Sequence, residues 1–204
     1  MNNPNFRIGM TAPGVLVEIL KANPKIRTLG FDRYIPREGV MEKVPFFSQQ
    51  IPIARLLYHN KFKVSLRSTR GEIKRNIEKI LDLYRGDFVV ALLSKVRIGG
   101  KNFHIPLMDF RCEKSSDNLN LIREFLGEIG QKRGVILWSG KSYHYYGVDL
   151  LGDKDWLKFL GECLLFTGYI DERYIGHRLI DGCGSLRISE GGIRPEIPRV
   201  VSIL

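Results

Sequence analysis

Hydrophobic positions recur along the chain with two different periods, and each period predicts a different element. In EIKRNIEKILDLY the apolar residues return every three or four positions, which predicts an amphipathic helix. The same spacing predicts helices in APGVLVEILKANP, which Pro24 closes, in SSDNLNLIREFLGEIGQKR and in DKDWLKFLGECLLF. Serine or aspartate stands at the start of the last two helices, where such side chains act as N-caps. QQIPIARLLYHNKF predicts a further short helix.

Short apolar runs rich in β-branched and aromatic residues predict the strands. DFVVALLSKVRI and KNFHIPLMDFRC flank Gly99 and Gly100, so we expect a hairpin there. GVILW and YHYYGVDLL flank the turn SGKS and predict a second strand–turn–strand unit. HRLIDGCGSLRIS, interrupted by two glycines, and RVVSIL predict late strands. The segment from Leu29 to Pro45 is rich in Gly, Pro and charge, and it predicts a surface loop.

The order of these elements predicts an α+β fold. From Asp87 onward the order is β-β-α-β-β-α-β-(β), which favours an RRM-like mixed or antiparallel sheet with helices packed on one face. The preceding segment predicts an N-terminal appendage that is mostly helical or irregular. We therefore expect residues 1–69 to pack on a core domain of residues 70–204, within the size range of one ordinary domain.

Composition excludes several classes of protein. Hydrophobic residues make up 44% and charged residues 26%, which is typical of a globular protein and not of a disordered one. The longest apolar runs are far shorter than the roughly 20 residues of a membrane-spanning helix, and the N-terminus lacks the pattern of a secretory signal. The three cysteines are far apart, which argues against a disulfide framework and a zinc knuckle. We expect a soluble cytoplasmic protein, nucleoid-associated or nuclear if it acts on DNA.

The net charge points to a polyanionic partner. Lys and Arg number 32 against 22 Asp and Glu, a formal net charge of +10, which favours nucleic acid, nucleotide or a membrane surface. Between Lys61 and Lys101, eleven basic residues face four acidic ones. On the polar side of the predicted helix in this region lie Lys74, Arg75 and Lys79, which we expect to contact nucleic acid. The alternative is a solvated helix face.

The segment SGKSYHYYG is the first candidate for chemistry. Ser139, Gly140 and Ser142 are small and let backbone amides approach a ligand, while Lys141 and His144 add donors. A backbone turn beside a cation is typical of a phosphate site. The alternative is a hairpin tip whose lysine is solvated and whose histidine is an ordinary strand residue.

Three segments together resemble the archaeo-eukaryotic primase superfamily. LMDFR, then SGKSYHYYG, then YIDERY followed by RLIDGCGSLRISEGG, stand in the order of that superfamily's motifs over about residues 86 to 195. Those motifs are an acid-x-acid pair, a turn of the form SGxGxH, and a hydrophobic residue plus Asp followed by a run similar to RLIRLPGSLHGKTG. The resemblance implies that Asp109 and Asp171 are catalytic and hold magnesium or manganese. It implies nucleotide contacts from Ser139, Gly140, Lys141, Ser142, His144, Arg111 and Arg178.

Two positions depart from the family pattern. Arg111 stands where the second acid is expected, and Asp181 stands where the family has arginine. Either these two side chains form an ion pair and the metal site is degenerate, or Asp181 supplies the missing carboxylate as a metal ligand. We also expect Leu107 to Arg111 and Arg178 to Ile188 to share one sheet, with Ser139 to His144 at its edge.

The resemblance leaves two classes of function open. An intact metal site implies template-directed transfer of a nucleotide to DNA or RNA. A degenerate site implies a non-catalytic accessory subunit or a nucleic-acid-binding module of a replication or repair complex, beside a partner primase or replication subunit. If the resemblance is accidental, the chain is an unrelated α+β binding protein. The arrangement of the carboxylates discriminates between the first two classes.

Overall fold

The protein has an α+β fold in which antiparallel sheets pack against helices. A computed structural model describes residues 3–34, 36, 59–65, 75, 77–79, 81–82, 86 and 88–204. The described residues between 75 and 82 are helical. The other elements are α1 (Ala12–Ala22), β1 (Thr28–Tyr34), β2 (His59–Ser65), β3 (Val89–Leu93), β4 (Lys95–Ile98), β5 (Lys101–His104), β6 (Leu107–Phe110), α2 (Ser116–Glu128), β7 (Gly134–Trp138), β8 (Tyr143–Gly147), β9 (Leu151–Gly152), α3 (Asp153–Leu164), α4 (Glu172–Asp181), β10 (Ser185–Arg187) and β11 (Arg199–Ile203).

The strands form three sheets. The first has the order β10-β3-β1-β2, the second β11-β7-β8-β6, and the small third β4-β5-β9. Neighbouring strands are antiparallel in every pair. Among the described helices, none is long and apolar enough to cross a membrane.

The second sheet is buried on both faces. Leu137 and Tyr146 pack into a hydrophobic cluster with α1, β1 and β3. Ile136 and Tyr145, on the opposite face, pack into a second cluster with α2 and α3. Burial on both faces explains why these strands read as continuous apolar runs without alternation. Gly134 is required at the start of β7, because a Cβ there would lie 2.6 Å from the Tyr145 ring.

Most of the elements predicted by periodicity are confirmed. Helices α1, α2 and α3 form where the apolar spacing predicts them, and Ser115 caps α2 by accepting a hydrogen bond from the Asn118 amide. The hairpin of β4 and β5 turns at Gly99 and Gly100, and β7 and β8 flank the SGKS turn. The α+β class is confirmed, whereas the division at residue 69 stays a prediction.

Two segments differ from the prediction near the N-terminal half. Residues 28–34 form β1, a strand between β2 and β3, and not a loop. Their Gly and charged residues suggested a surface position, but Leu29, Phe31 and even Asp32 are fully buried. The predicted short helix in QQIPIARLLYHNKF is wrong over residues 59–62, which belong to β2. Its remaining residues, like 35 and 37–45 of the predicted loop, lie outside the described residues.

The third error concerns HRLIDGCGSLRIS. Its first five residues are the end of α4, and only Ser185–Arg187 form a strand. Leu179 and Ile180 suggested a buried strand, yet they lie 45% and 70% exposed on the helix. Gly182 ends α4 with a φ of 63°, the left-handed conformation that favours glycine. The predicted single sheet is therefore wrong, because β6 lies in the second sheet and β10 in the first.

Candidate functional site

A cavity of about 590 Å³ lies where the two larger sheets meet α4. Its walls come from β6 and the loop that follows it, from the β7–β8 turn, from α4 and from β10. Segments from all three motifs therefore border one cavity, although they belong to different sheets. A volume of this size is typical of a small-molecule site.

The β6 wall presents Asp109 opposite His144 of β8. Asp109 Oδ1 accepts a hydrogen bond from the Ser142 hydroxyl at 2.8 Å and lies 3.5 Å from His144 Nε2. The pKa of the Asp109 carboxyl is raised to about 6. Burial is the main cause and the nearby Asp171 carboxylate adds to it, while the hydrogen bond from Ser142 acts in the opposite direction. Asp109 and Asp171 are therefore close enough to interact electrostatically.

His144 is buried, with 5% of its surface exposed. It borders the cavity but exposes little surface to it. Burial, followed by Arg187 and Arg194, lowers the pKa of His144 to about 3. The imidazole is thus neutral at neutral pH, and its Nδ1 has no hydrogen-bond partner within the described chain.

The β7–β8 turn is closed by its own serines. The Ser139 amide and hydroxyl both donate to the Ser142 carbonyl, at 3.0 and 2.9 Å, and the Ser142 amide donates to Ser139 Oγ at 3.1 Å. Gly140 has a φ of 89°, a conformation that side chains rarely adopt. Lys141 is exposed and borders the cavity. The two serine hydroxyls thus shape the turn and position Asp109.

Arg187 was not predicted as a site residue, yet it joins the two sheets at the cavity. The side chain is buried, and its Nη1 donates to the carbonyls of Ser189 and Glu196 at 2.6 and 2.5 Å. Its Nη2 donates to the Ser139 carbonyl at 2.5 Å. Arg187 therefore fixes β10 to the β7–β8 turn. The signal in the sequence was an arginine inside the apolar run SLRIS.

The α4 wall contains a buried arginine whose donors are not all used. Asp171 caps the helix by accepting a hydrogen bond from the Arg173 amide at 3.0 Å. Arg178 is 5% exposed, and its guanidinium lies 5.1 Å from the centroid of the Tyr174 ring. Its Nη2 lies 3.6 Å from an Asp181 carboxylate oxygen, while Nε and Nη1 have no hydrogen-bond partner among the described residues. Buried donors of this kind are costly unless a ligand fills them.

Several predicted residues lie elsewhere. Asp181 belongs to the last turn of α4, forms an ion pair with Arg178 and does not border the cavity. Gly140 is exposed and does not border it either. Arg75 and Lys79 are helical and exposed, and they do not belong to the cavity lining. Lys74 lies outside the described residues.

The lining of the cavity is cationic. Three carboxylates, those of Asp109, Glu113 and Asp171, face twice as many basic side chains. These basic side chains are Arg111, Lys141, Arg173, Arg178, Arg187 and Arg194. His144 adds no charge at neutral pH. The cavity therefore suits an anionic ligand.

The carboxylates permit one kind of metal site. Among the described residues, no group of three or more His, Cys, Asp and Glu side chains is arranged to hold a metal ion. Asp109 and Asp171 border the same cavity, and the Asp171 carboxylate contributes to the raised pKa of Asp109. Magnesium is commonly held by one or two carboxylates together with phosphate oxygens and water. The pair fits such a shared site and does not fit a closed protein cage.

Comparison with known proteins identifies the family of this chain. The family model described as AEP-like, archaeo-eukaryotic primase 1D-like, matches residues 73–194, which is more than half of the chain. The matched range contains the cavity residues from Asp109 to Arg194. No curated protein and no solved structure matches the chain. The chain, with its primase-like fold, thus belongs to the archaeo-eukaryotic primase 1D-like family.

Proposed function

We propose that the cavity binds a nucleoside triphosphate and that the protein transfers its nucleotidyl group to DNA or RNA. The observation that carries this proposal is the buried Arg178, whose Nε and Nη1 lack partners within the described chain and which borders a cationic cavity of nucleotide size. A triphosphate supplies anionic acceptors for such donors. Family membership supports the same substrate class.

The residues around the cavity divide the work of holding the triphosphate. Lys141 and Arg111 are exposed at its mouth and meet the anion first. Arg178 lies deeper and adds donors that are already desolvated, so a charge-assisted hydrogen bond there is strong. His144 contributes a neutral imidazole beside Asp109. The serine hydroxyls act through the shape of the turn.

Asp109 and Asp171 would hold magnesium or manganese together with phosphate oxygens. Bound there, a divalent cation would supply charge neutralisation on the phosphates, while Asp109 and Asp171 would fix its place in the cavity. Since no third metal-binding side chain is arranged with this pair among the described residues, the protein should hold the cation firmly only together with the triphosphate. Burial of Asp109, together with its repulsion by Asp171, disfavours the ionised carboxylate in the protein alone, and a bound cation would offset this cost.

Nucleic acid would bind through the basic surface of the protein. The net charge of +10 attracts a phosphate backbone, and Arg75 and Lys79 present exposed cations. Lys74 is the third basic residue of the same predicted helix. Such a protein would act in the cytoplasm, or at the nucleoid or in the nucleus if its substrate is DNA.

A second candidate function is binding without transfer. The observation that favours it is Arg111, which stands two residues after Asp109 where a second acid would complete the metal site. Within the described residues, no third side chain of a metal-binding type joins the pair. In this case the protein is an accessory module that holds nucleotide and nucleic acid for a partner primase or replication subunit.

One set of assays separates the two functions. ATP binding is measured by calorimetry, and primer extension and dinucleotide synthesis are measured with magnesium and with manganese. Transfer that is lost in Asp109→Asn but retained in Asp117→Asn, an exposed carboxylate away from the cavity, supports the transferase. ATP binding without transfer under either metal supports the accessory function. Absence of ATP binding by the wild type at millimolar concentration contradicts both.

A further inference from the structure

A serine–histidine–aspartate cluster lies outside the cavity lining. Ser94 lies between β3 and β4, His104 ends β5 and Asp153 begins α3. Ser94 Oγ lies 3.0 Å from His104 Nδ1, and His104 Nε2 lies 3.0 Å from Asp153 Oδ1. Ser94 and His104 are almost fully buried, whereas the Asp153 side chain is 60% exposed. The cluster thus connects the protein surface to its interior.

The position of Ser94 excludes a nucleophilic role. Its hydroxyl is completely buried, so no substrate carbonyl reaches it, as a serine nucleophile requires. Ser94 Oγ instead accepts a hydrogen bond from the Gly184 amide at 2.7 Å, and the Ser94 amide donates to the Gly184 carbonyl at 2.9 Å. The cluster therefore ends on the backbone of the residue before β10.

The direction of each hydrogen bond in the cluster is determined. The Gly184 amide donates to Ser94 Oγ, and the Asp153 carboxylate only accepts, so His104 Nε2 carries the proton that is donated to Asp153. In the neutral imidazole Nδ1 is then unprotonated and accepts a hydrogen bond from the Ser94 hydroxyl. Burial lowers the pKa of His104, which keeps the ring neutral, and stacking on Trp156 at 4.2 Å fixes its plane.

β10 depends on the hydrogen bonds between Ser94 and Gly184, because it has few other partners in its sheet. It is a three-residue strand at the edge of its sheet, and within the described residues it pairs with β3 alone. All three of its residues border the cavity. Through Arg187 it also holds the Ser139 carbonyl of the β7–β8 turn. A shift at Gly184 would therefore reach two walls of the cavity.

The approach at Gly184 is close. A Cβ at this position would lie 3.2 Å from the Ser94 Cβ and 3.3 Å from its Oγ. Such a distance is shorter than ordinary van der Waals contact. The backbone before β10 therefore has little freedom to move relative to Ser94.

We propose that Ser94, His104 and Asp153 form a positioning relay that fixes β10 and thereby sets the nucleotide affinity of the cavity. The inference rests on the proposed function of that cavity. None of the three side chains borders the cavity, so each acts through the Gly184 backbone. An exposed carboxylate on α3 thus influences a binding site that it does not touch.

The first test removes the inner end of the relay. Ser94→Ala leaves the Gly184 amide and His104 Nδ1 without their partner, and we expect the ATP dissociation constant to rise about tenfold. Amide hydrogen exchange should rise at residues 184–187. The imidazole ¹⁵N shifts of the wild type should report the neutral Nε2-protonated form of His104.

Two substitutions at His104 form a matched pair. His104→Asn places an amide oxygen near the position of Nδ1 and keeps an acceptor for Ser94, whereas His104→Gln places its amide near Asp153 and does not. Both lose the stack on Trp156 and should lose similar thermal stability. We expect the ATP dissociation constant to rise about tenfold in His104→Gln and by about threefold or less in His104→Asn. Equal affinities in the pair would overturn the relay, since a structural role alone predicts no difference.

The outer end is tested with a second matched pair on α3. Asp153→Ala should weaken ATP binding about threefold, the scale of an exposed charge-assisted contact. Asp155→Ala removes an exposed carboxylate from the same helical turn and should leave the affinity unchanged. If Ser94→Ala does not fold, this surface pair decides, and equal ATP affinity and equal exchange at residues 184–187 would overturn the proposal.

The exchange measurement separates the relay from the function of the cavity. If the wild type does not bind ATP, the proposed function is wrong and the relay is judged by exchange alone. Unchanged protection of residues 184–187 in Ser94→Ala and in His104→Gln would then overturn it. ATP binding by the wild type with unchanged affinity in all four relay variants would overturn the relay and leave the proposed function intact.

Discussion

Two walls of the cavity are built in opposite ways. The hairpin wall consists of the β7–β8 turn with Asp109 and Arg187 packed on it, and the helical wall is α4. On the hairpin wall, the polar groups are hydrogen-bonded to one another. The serines close the turn, and Ser142 donates to Asp109. Arg187 donates to three backbone carbonyls. On the helical wall, Arg178 is equally buried but leaves two donor nitrogens without partners in the described chain. Two equally buried arginines can therefore have different roles, and the difference lies in whether their donor nitrogens have partners. One arginine uses its donors within the fold, and we propose that a ligand accepts from the other.

The largest expected effect is the loss of stability when Arg187 is removed. Arg187→Ala leaves the carbonyls of Ser139, Ser189 and Glu196 without this donor and should lower the free energy of unfolding by about 3 kcal/mol. Urea denaturation measures this change. Arg187→Lys should not restore stability, because a single ammonium cannot span the carbonyls of Ser139 and Glu196 as the guanidinium does. If Arg187→Ala is as stable as the wild type, the hydrogen bonds of Arg187 to the three carbonyls do not stabilise the fold.

Arg178 should behave in the opposite way. Arg178→Met removes a buried guanidinium that is only partly paired, so the free energy of unfolding should stay the same or rise. The affinity for ATP should fall by about tenfold to a hundredfold, because the variant cannot form charge-assisted hydrogen bonds to the phosphates. Calorimetry and thermal unfolding of the same preparation measure both quantities. A large loss of stability with unchanged affinity would make Arg178 a structural residue and remove the contrast between the walls.

His144 should show both effects, because it is buried and also borders the cavity. His144→Ala should reduce triphosphate affinity by about 1–3 kcal/mol, the scale of a hydrogen bond to a charged group. It should also lower stability, since a buried ring is removed. The pKa of His144, lowered to about 3, adds a pH dependence. Below about pH 6.5 this histidine is protonated in the unfolded chain but stays neutral in the native protein. Its contribution to stability therefore falls as the pH falls.

The contribution of Asp109 to stability changes with pH in the opposite direction to that of His144. Its pKa is raised to about 6, so between about pH 4 and 6 the unfolded chain releases a proton that the native carboxyl retains. Ionisation of Asp109 therefore destabilises the ligand-free protein as the pH rises through this window. Asp109→Asn should raise the melting temperature at about pH 7 and leave it unchanged at about pH 3.5. It should also abolish the gain in ATP affinity that magnesium gives. No stabilisation at neutral pH would show that the carboxylate is not held at a cost.

The smallest expected effect is at the basic surface away from both walls. Reversal of Lys74, Arg75 and Lys79 to glutamate should weaken binding of single-stranded DNA. It should also reduce the salt dependence of binding, by roughly 0.7 in the slope for each phosphate that the variant no longer neutralises. Fluorescence anisotropy over a range of salt concentrations measures the slope. ATP affinity serves as the control and should not change. An unaltered slope would place the nucleic acid on another surface.

The hairpin wall could be predicted from sequence, and the helical wall could not. β7, its turn and β8 are adjacent in the chain, so local spacing around SGKSYH indicates both the strands and the proximity of Ser142 and His144. The resemblance placed Ser139 to His144 at the edge of the sheet that contains Leu107 to Arg111, and β8 pairs with β6. The burial of His144 could not be predicted in this way, because it depends on the neighbouring strands.

The helical wall depends on tertiary contacts. In RYIGHRLID two exposed aliphatic residues, Leu179 and Ile180, imitate a strand core, and only the cap at Asp171 and Gly182 marks a helix. The same limit applies to β1, whose charged Asp32 is buried between two strands. The hydrogen bonds of Arg187 reach residues 2, 9 and 48 positions away. No periodicity in the sequence reports such long-range pairings.

The most direct test of the central claim is a calorimetric titration of the protein with ATP and with Mn²⁺, each alone and then together. We expect ATP to bind alone through the basic side chains of the cavity. We expect Mn²⁺ to bind weakly alone, because among the described residues no third metal-binding side chain is arranged with Asp109 and Asp171. Each ligand should tighten the binding of the other. Tight binding of Mn²⁺ alone with no effect on ATP, or no binding of ATP under any condition, would contradict the account.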